Sequence, residues 1–355
     1  MRALVTGATG CIGSYLAEEL LRHDYEVRVL VRHTSNLSEI AQLPLGFIYG
    51  DVTDPASVAE AVRDVDIVFH AAARMNDWGP WKIFHEQNIR GTLNLLQASQ
   101  IAGVKRFVHT SSTGVTGLDA QYRSTEDAPY RPKGHYEESK VESEKLVVEF
   151  CNKEQLPYTI VRPCWTLGPR ARRHIPLMIE YLRSGTFKIL GSGRNVLNFV
   201  DPRDVAVAMV LVGERPEALG QIYHITNDDH TVTQESFYRT LCEFVGPTPP
   251  LQHVPYWLAY AISWLLEKWA EWRDWEDAPM LTPVRVAFLG LNRDFSCEKA
   301  KKELGYSPQY TLRHSLHDAA QWYSKLNEKD RAKIPELRGI SVQWGQAASG
   351  KLTTV

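Results

Sequence analysis

The chain has 355 residues, enough to bury a full hydrophobic core in one large domain or two closely joined ones. Its 40 Lys and Arg residues and 42 Asp and Glu residues nearly balance, which gives a formal charge of -2. This balance predicts no nucleic-acid partner and leaves a small molecule as the expected ligand.

Short apolar strands alternate with amphipathic stretches from the first residues to Pro163. The predicted strands, rich in β-branched residues, are 2–6, 26–31, 46–49, 66–70, 106–110 and 158–161. The predicted helices between them include 12–22, 55–62, 88–102 and 139–151. Such alternation predicts an α/β fold with a Rossmann-type, doubly wound parallel sheet, which binds ligands at the carboxyl ends of its strands.

The first strand leads directly into a glycine-rich turn, Thr6-Gly7-Ala8-Thr9-Gly10-Cys11-Ile12-Gly13. Gly7 would permit the tight turn, Gly10 would let the backbone approach a pyrophosphate, and Gly13 would let helix and strand pack closely. The N–H groups at the start of the next helix suit a phosphate. The turn therefore predicts dinucleotide binding, and its predicted cofactor-binding residues are Gly7, Thr9, Gly10, Cys11, Ile12 and Gly13.

The end of the second strand bears on the choice between NAD and NADP. An NAD enzyme usually places an Asp or Glu there to bind the adenosine ribose, but this sequence reads Leu30-Val31-Arg32-His33. Arg32 could instead pair with the 2′-phosphate of NADP. We predict NADP as the preferred cofactor and keep NAD open, because an arginine after a strand is also common for unrelated reasons.

Tyr136-Glu137-Glu138-Ser139-Lys140 lies at the start of a predicted helix, between the fifth and sixth strands. Four-residue spacing places Tyr136 and Lys140 on one helical face. A phenol has a pKa of about 10 and needs help to act as a base, and a neighbouring ammonium group favours the phenolate. The pair predicts proton transfer to or from a substrate oxygen.

With these motifs and five further landmarks, the chain resembles an extended short-chain dehydrogenase/reductase of the NAD-dependent epimerase/dehydratase superfamily. The landmarks follow successive strands and are Asp51-Val52, Ala71-Ala72-Ala73, Asn88-Ile89-Arg90-Gly91-Thr92, Thr110-Ser111-Ser112 and Arg162-Pro163. The resemblance implies that the cofactor is bordered at its adenine by Asp51 and Val52, along its length by Ala71, Ala72 and Ala73, and at its nicotinamide by Pro163.

The resemblance also implies a catalytic set. Ser112 would hydrogen-bond the reacting oxygen, with Ser111 as the competing serine. Asn88 would complete a proton relay through Lys140. The implied catalytic residues are Ser112, Tyr136, Lys140 and Asn88, of which Tyr136 and Lys140 would also contact the cofactor.

The second half of the chain favours one branch of that family. Sugar-nucleotide members typically clasp the substrate diphosphate with an Arg in a Gly-x-Gly-x-x-x-Arg stretch, but Leu197 stands at that position. Stretches 191–200 and 291–306 instead resemble the 3β-hydroxysteroid and sterol-4α-carboxylate 3-dehydrogenases. That resemblance, which covers about residues 1 to 325, implies an NAD(P)-dependent oxidoreductase that interconverts an alcohol and a ketone on a hydrophobic, steroid-like or polycyclic substrate.

Two alternatives stay open at this point. The first is a nucleotide-sugar epimerase or dehydratase with tightly bound NAD(P). The second is a non-catalytic dinucleotide sensor, against which the intact set Ser112, Tyr136 and Lys140 speaks.

The domain organisation follows from the loss of regular strand-helix alternation after Pro163. We expect a dinucleotide-binding domain at 1–170, to which 195–228 returns, and a smaller C-terminal substrate-binding lobe at 171–194 and 229–325. A polar tail is expected at 326–355.

Residues 254–266 carry no charge, and five of the ten tryptophans lie between Trp257 and Trp275. The run is too short for a bilayer span, which needs about 20 residues. Its net acidic flank disfavours anionic lipid, so we favour packing in a substrate pocket, in the core or against a second subunit over membrane contact. A homodimer is an expectation at the level of the family.

The five cysteines are scattered and form no Cys-x-x-Cys pair, which predicts neither a disulfide framework nor a metal site. His70 and His109 end apolar strands and are expected to be structural. The first residues carry no signal-peptide pattern, so a cytoplasmic location is expected.

Overall fold

The computed structural model describes residues 1–185, 187–246, 249, 252–273, 275, 277–279, 281–326 and 331. The predicted polar tail thus lies, apart from residues 326 and 331, outside the described residues.

The strands are β1 (Arg2–Thr6), β2 (Glu26–Val31), β3 (Gly46–Tyr49), β4 (Ile67–His70), β5 (Arg106–Thr110), β6 (Gln121–Ser124), β7 (Tyr158–Pro163), β8 (Trp165–Thr166), β9 (Ile189–Leu190), β10 (Phe199–Val200), β11 (Ile222–Ile225), β12 (His253–Val254) and β13 (Arg293–Phe295). The helices are α1 (Cys11–Arg22), α2 (Pro55–Ala61), α3 (Trp81–Phe84), α4 (Gly91–Ile101), α5 (His135–Glu154), α6 (His174–Arg183), α7 (Pro202–Glu214), α8 (Gln234–Val245), α9 (Tyr256–Trp272), α10 (Pro283–Gly290), α11 (Glu298–Leu304) and α12 (Leu312–Lys325). A π-helix at His85–Arg90 runs into α4.

Seven strands form one parallel sheet in the order β3-β2-β1-β4-β5-β7-β11. The strand order reverses between β1 and β4, and the glycine turn after β1 lies at this switch point, where such sheets bind ligands. The predicted doubly wound fold is confirmed. The seventh strand, β11, was not predicted, because its four residues include a polar histidine and no regular pattern flanks them.

The central strands are almost continuously apolar because helices cover both faces of the sheet. Alternate residues of β1 enter different cores, since successive side chains of a strand point to opposite faces. Val5 packs in the core beneath α1 and α7, whereas Leu4 packs in the core beneath α2, α4 and α5. The loop after β3 ends at Asp54, the N-cap of α2, whose side chain accepts hydrogen bonds from the backbone N atoms of Ala56 and Ser57.

A third core joins α6, α8 and α12 and forms the interior of the predicted substrate lobe. One part of that lobe lies elsewhere: Phe295, Ala300 and Leu304 pack into the core of the sheet domain, on the face that carries α1 and α7. Helix α11 thus covers the last strand of the sheet, although the sequence assigned it to the lobe.

Helix α9 contains most of the Trp-rich segment and lies largely on the surface. Only a narrow stripe that includes Ala259, Ser263 and Ala270 is buried, whereas Trp257 is 70% exposed and Trp272 is 74% exposed. The interpretation of this segment as core is therefore wrong, while its packing along a substrate pocket and its contacts with a second subunit or a membrane stay predictions. Among the described residues, no helix has both the length and the apolar character needed to span a membrane.

Candidate active site

The glycine turn between β1 and α1 has a shape that requires glycine at two positions. Gly7 has a φ of +73°, and a methyl group there would lie 2.6 Å from the backbone N of Ala72. A methyl group on Gly13 would lie 2.3 Å from the carbonyl oxygen of Gly7. Gly10 is exposed between them. The turn therefore lies directly against the end of β4, where Ala71, Ala72 and Ala73 follow.

The start of α1 fits the pyrophosphate of a dinucleotide. The helix begins at Cys11 with Gly10 as its N-cap, without a capping side chain and without an acidic residue in its first turn. The first N–H groups of a helix have no partner within the helix, and the helix dipole favours an anion there. A bound anion would satisfy the groups that the protein's own side chains leave open.

The predicted adenine-side residues lie at the next strand ends. The Oδ1 atom of Asp51 accepts hydrogen bonds from the backbone N and the Oγ1 of Thr53, at 2.9 and 2.8 Å. Val52 packs tightly on α4, because a methyl group on Gly91 would lie 2.8 Å from the Cγ2 of Val52. Pro163, which is predicted to border the nicotinamide instead, ends β7 and pairs in register with Ile225.

Arg32 follows β2 and is exposed. Its backbone N donates to the Oγ of Ser35 at 3.1 Å, but its guanidinium has no hydrogen-bond or ion-pair partner within the part of the chain that the structure describes. His33 stacks on Tyr49 at 4.9 Å beside it. The side chain is thus available to a ligand, and the preference for NADP stays a prediction.

Tyr136 lies in the first turn of α5, and the side chain of Ser112 acts on it and lowers its pKa. The Oγ of Ser112 also accepts from the backbone N of Gly114 at 3.0 Å. The Oγ of Ser111, in contrast, is buried with no hydrogen-bond partner among the described residues. Of the two candidate serines, the structure brings Ser112 to Tyr136.

Burial raises the pKa of Tyr136, and the charge of Glu137 raises it further, while Ser112 and Arg173 act in the opposite direction. Lys140 is buried behind the tyrosine, where its Nζ donates to the carbonyl oxygen of Thr110 at 2.7 Å. Burial lowers the pKa of Lys140 to about 8. The sequence predicted that Lys140 supports the phenolate, but the charged groups that act on Tyr136 here are Glu137 and Arg173.

Asn88 is buried in the π-helix and joins two elements of the site. Its Nδ2 donates to the Oγ of Ser139 at 2.8 Å and to the carbonyl oxygen of Arg74 at 3.2 Å. Its Oδ1 accepts from the backbone N of Arg74 at 2.6 Å. No hydrogen bond between Asn88 and Lys140 is recorded among the described residues, so the relay role of Asn88 stays a prediction.

His70 and His109 are buried and neutral. The Nδ1 of His70 lies 2.8 Å from the Oγ1 of Thr6, and its Nε2 lies 2.9 Å from the Oγ1 of Thr92. Burial lowers the pKa of His70 to about 3. Because Thr92 donates its own proton to the carbonyl oxygen of Asn88, Nε2 of His70 must carry the ring proton. This network fixes β1, β4 and α4 together, as expected for a structural histidine.

A cluster of charges that the sequence did not predict joins the loop after β4 to the second half of the chain. Asp77 binds Arg173, and its Oδ2 lies 2.5 Å from the Nε of Arg285 on α10. The two arginines hold the pKa of Asp77 below its usual range, although burial alone would raise it. The loop after β4 is therefore tied to the substrate lobe.

The comparisons with known proteins agree with this geometry. Residues 3–226 match the sequence pattern of the NAD dependent epimerase/dehydratase family. The chain belongs to this family. As expected for a member, the glycine turn and the Tyr136/Lys140 helix lie at the carboxyl edge of one sheet.

Three relatives show the range of this epimerase/dehydratase family. The chain is 30% identical over 339 residues to sterol-4-alpha-carboxylate 3-dehydrogenase, decarboxylating, of Mus musculus, with 92% of each chain covered. It is 31% identical over 348 residues to a 3 beta-hydroxysteroid dehydrogenase/Delta 5-->4-isomerase of Mycobacterium tuberculosis, again with 92% of each covered. The solved structure of a double mutant of DesIV, a dTDP-glucose 4,6-dehydratase of Streptomyces venezuelae with NAD and DAU bound, has a TM-score of 0.74 and 28% identity, covering 92% of this chain and 97% of that one.

The sequence did not predict the charged side chains that the second half of the chain brings to the loop after β4. Arg173 and Asp77 lie far apart in the sequence, so no local pattern could pair them.

Proposed function

We propose that the chain catalyses NAD(P)-dependent interconversion of a secondary alcohol and a ketone on a hydrophobic, steroid-like or polycyclic substrate. The observation that supports the proposal is that Ser112 acts on Tyr136, at the same edge of the sheet as the glycine turn. The similarity to the two steroid dehydrogenases over 92% of the chain supports the class of substrate. The family itself supports an NAD-dependent oxidoreductase.

The residues of the site would divide the work as follows. Ser112 would hold the substrate oxygen by a hydrogen bond, and Tyr136 would give it a proton during ketone reduction or take one during alcohol oxidation. A bound nicotinamide supplies or accepts the hydride. Lys140 would replace the proton of Tyr136 from behind, because its lowered pKa of about 8 lets its ammonium lose a proton near neutral pH.

The raised pKa of Tyr136 bears on direction. A phenol that keeps its proton at neutral pH is ready to act as an acid, which is its role in ketone reduction. Alcohol oxidation needs the phenolate and would be favoured only at higher pH. We therefore propose that the rate of ketone reduction falls, and the rate of alcohol oxidation rises, as the pH increases.

We further propose NADP as the preferred cofactor, on the strength of Arg32. Its guanidinium is exposed and without a protein partner within the described ranges, and a guanidinium can bind a phosphate with two parallel hydrogen bonds. The family description supports only the coarser statement, which is dependence on NAD-type cofactors.

Leu197 is the observation that weighs against the nucleotide-sugar alternative. It lies beside β10, is only 1% exposed, and its backbone N donates to the carbonyl oxygen of Val232 at 2.9 Å. A buried aliphatic side chain offers a diphosphate no hydrogen bond. The similarity to DesIV keeps the alternative in view and makes it an outcome of the test.

The test is absorbance at 340 nm with hydrophobic alcohols and ketones, using NAD(H) and NADP(H) in parallel. We expect net conversion by the wild type, a loss of at least 1000-fold in Tyr136→Phe, and no change in Tyr122→Phe, which alters an exposed tyrosine. Equal activity of Tyr136→Phe and wild type would refute the assignment of Tyr136. Conversion of a dTDP- or UDP-sugar without net redox change would establish the alternative.

A further inference from the structure

His174 follows Arg173, which belongs to the ion-pair cluster of Asp77, and has no part in the proposed proton transfer. It is the first residue of α6 and is half-buried. The indole Nε1 of Trp165 donates a hydrogen bond to the Nδ1 of His174 at 3.0 Å. Trp165 follows Pro163 by two residues, so the imidazole lies close to the proposed nicotinamide end of the site.

The hydrogen bond from Trp165 decides which ring nitrogen of His174 carries the proton. An indole N–H can only donate, so Nδ1 must accept and must be unprotonated. The neutral ring therefore carries its proton on Nε2. That atom has no hydrogen-bond partner among the described residues and is not among their fully enclosed polar atoms, so a ligand can reach it.

The charges around His174 keep it neutral. Burial lowers its pKa to about 4, and Arg173 and Arg285 lower it while Asp77 raises it. These three groups come from the loop before α6, from α10 and from the loop after β4. Across the working pH range, His174 is therefore a neutral hydrogen-bond donor and not a cation.

The loop after β4 connects His174 with the catalytic tyrosine. Arg173, which precedes His174, forms an ion pair with Asp77 of this loop. The carbonyl oxygen of Gly79, in the same loop, lies 3.0 Å from the Nδ1 of His135, which precedes Tyr136. His174 and Tyr136 therefore each follow a residue that binds this loop.

Aromatic rings and charged groups both lie near His174. Trp165 packs against the fully buried Phe237 at 5.1 Å and against Phe288 at 5.3 Å. Asp77 is paired with Arg173 and Arg285. A neutral N–H donor at this place favours a ligand that carries an oxygen at the matching position.

We propose that His174 is a specificity-determining residue, which donates a hydrogen bond from Nε2 to a second oxygen of the substrate. The acceptor is a keto or hydroxyl oxygen on the ring system, separate from the oxygen that Tyr136 and Ser112 serve. The proposal rests on the proposed alcohol/ketone reaction, which it deepens by one requirement on the substrate.

The experiment compares one 3β-hydroxysteroid with the same skeleton carrying an added keto group at one end, in the middle or at the other end. In the wild type, we expect one keto position to lower KM by about three- to tenfold relative to the parent compound. His174→Phe should abolish that gain, whereas His174→Gln, which keeps an N–H donor, should retain part of it. His317→Phe alters an exposed histidine and serves as the control.

Two further measurements keep the proposal falsifiable if a variant folds poorly or no compound is turned over. Nitrogen-15 NMR of the wild-type imidazole should show the proton on Nε2 between pH 5.5 and 8, and Trp165→Phe should mix the two ring forms. Calorimetric binding of the same steroids, with cofactor present, reports the keto preference without turnover. Binding without turnover would refute the proposed function alone. The absence of both binding and turnover would refute the proposed function and the role of His174. An equal effect of His174→Phe on parent and keto compounds would overturn the role of His174.

Discussion

Replacement of Glu137 by glutamine should change how the stability of the protein depends on pH. Glu137 follows Tyr136 in α5, and its carboxylate is enclosed by both halves of the chain. A methyl group on Gly134 would lie 3.0 Å from its Oε2, and one on Gly114 would lie 3.3 Å from its Cγ. Burial, with repulsion from Asp77 and Glu138, raises the pKa of Glu137 from the usual 4.5 to about 7. The positive charge of Arg293 acts in the opposite direction and lowers this pKa.

The sign of the effect follows from proton binding. Between pH 4.5 and 7 the folded chain holds a proton on Glu137 that the unfolded chain has released, so folding loses stability as pH rises through this window. The difference between a pKa of 4.5 and one of about 7 lowers the free energy of unfolding by about 3 kcal/mol once both states are fully ionised. About 2 kcal/mol of this loss falls between pH 5.5 and 8. Glutamine does not titrate and removes this slope.

The measurement is urea unfolding of wild type, Glu137→Gln and Glu138→Gln at pH 5.5, 7 and 8. We expect the free energy of unfolding of the wild type to fall by about 2 kcal/mol more than that of Glu137→Gln across this range. Glu138→Gln alters an exposed neighbour on the same helix and should follow the wild type. Parallel curves for wild type and Glu137→Gln would show that the carboxyl is not held in an unfavourable environment.

Three further predictions concern the cofactor cradle and the core. Gly13→Ala would place a methyl group 2.3 Å from the carbonyl oxygen of Gly7. We therefore expect the affinity for the dinucleotide to fall at least tenfold in a calorimetric titration. An unchanged Kd would contradict the close packing of the turn. Arg32→Ser should raise KM for NADPH by about 10- to 100-fold while KM for NADH changes less than about twofold, and equal effects on both would remove Arg32 from the 2′-phosphate site. Glu144→Gln removes the carboxylate that binds the buried guanidinium of Arg162 at 2.7 and 2.9 Å. We expect the free energy of unfolding, measured by chemical denaturation, to fall by about 3 to 5 kcal/mol. A fall of less than about 1 kcal/mol would mean that the pair contributes little to stability.

The sequence predicted the sheet domain well because its strands and helices are defined by local patterns. β1, β2, β3 and β5 have the predicted bounds, since an apolar run covered on both faces leaves little freedom in where it ends. The glycine turn could be placed for the same reason, because both the positive φ of Gly7 and the tight contact of Gly13 leave glycine as the residue that fits.

The site was predicted in part. Ser112 acts on Tyr136 in the folded chain, as the resemblance implied, but the choice of Ser112 over Ser111 is visible only in the effect of Ser112 on the pKa of Tyr136. The electrostatic surroundings of Tyr136 were not predicted, because Arg173 reaches it from another part of the chain. Helix α9 was misjudged in one respect: an uncharged run suggests burial, but burial depends on whether a partner surface exists.

The sequence by itself determined the parallel sheet, the dinucleotide cradle and the tyrosine-lysine helix, because each is written in residues that are close along the chain. Only the tertiary structure decided that Asp77 bridges Arg173 and Arg285, that Glu137 faces Arg293, and that Trp165 fixes the proton of His174. Those contacts join residues that local periodicity cannot relate. Their protonation states depend on burial, which is a property of the folded chain and not of any segment of it.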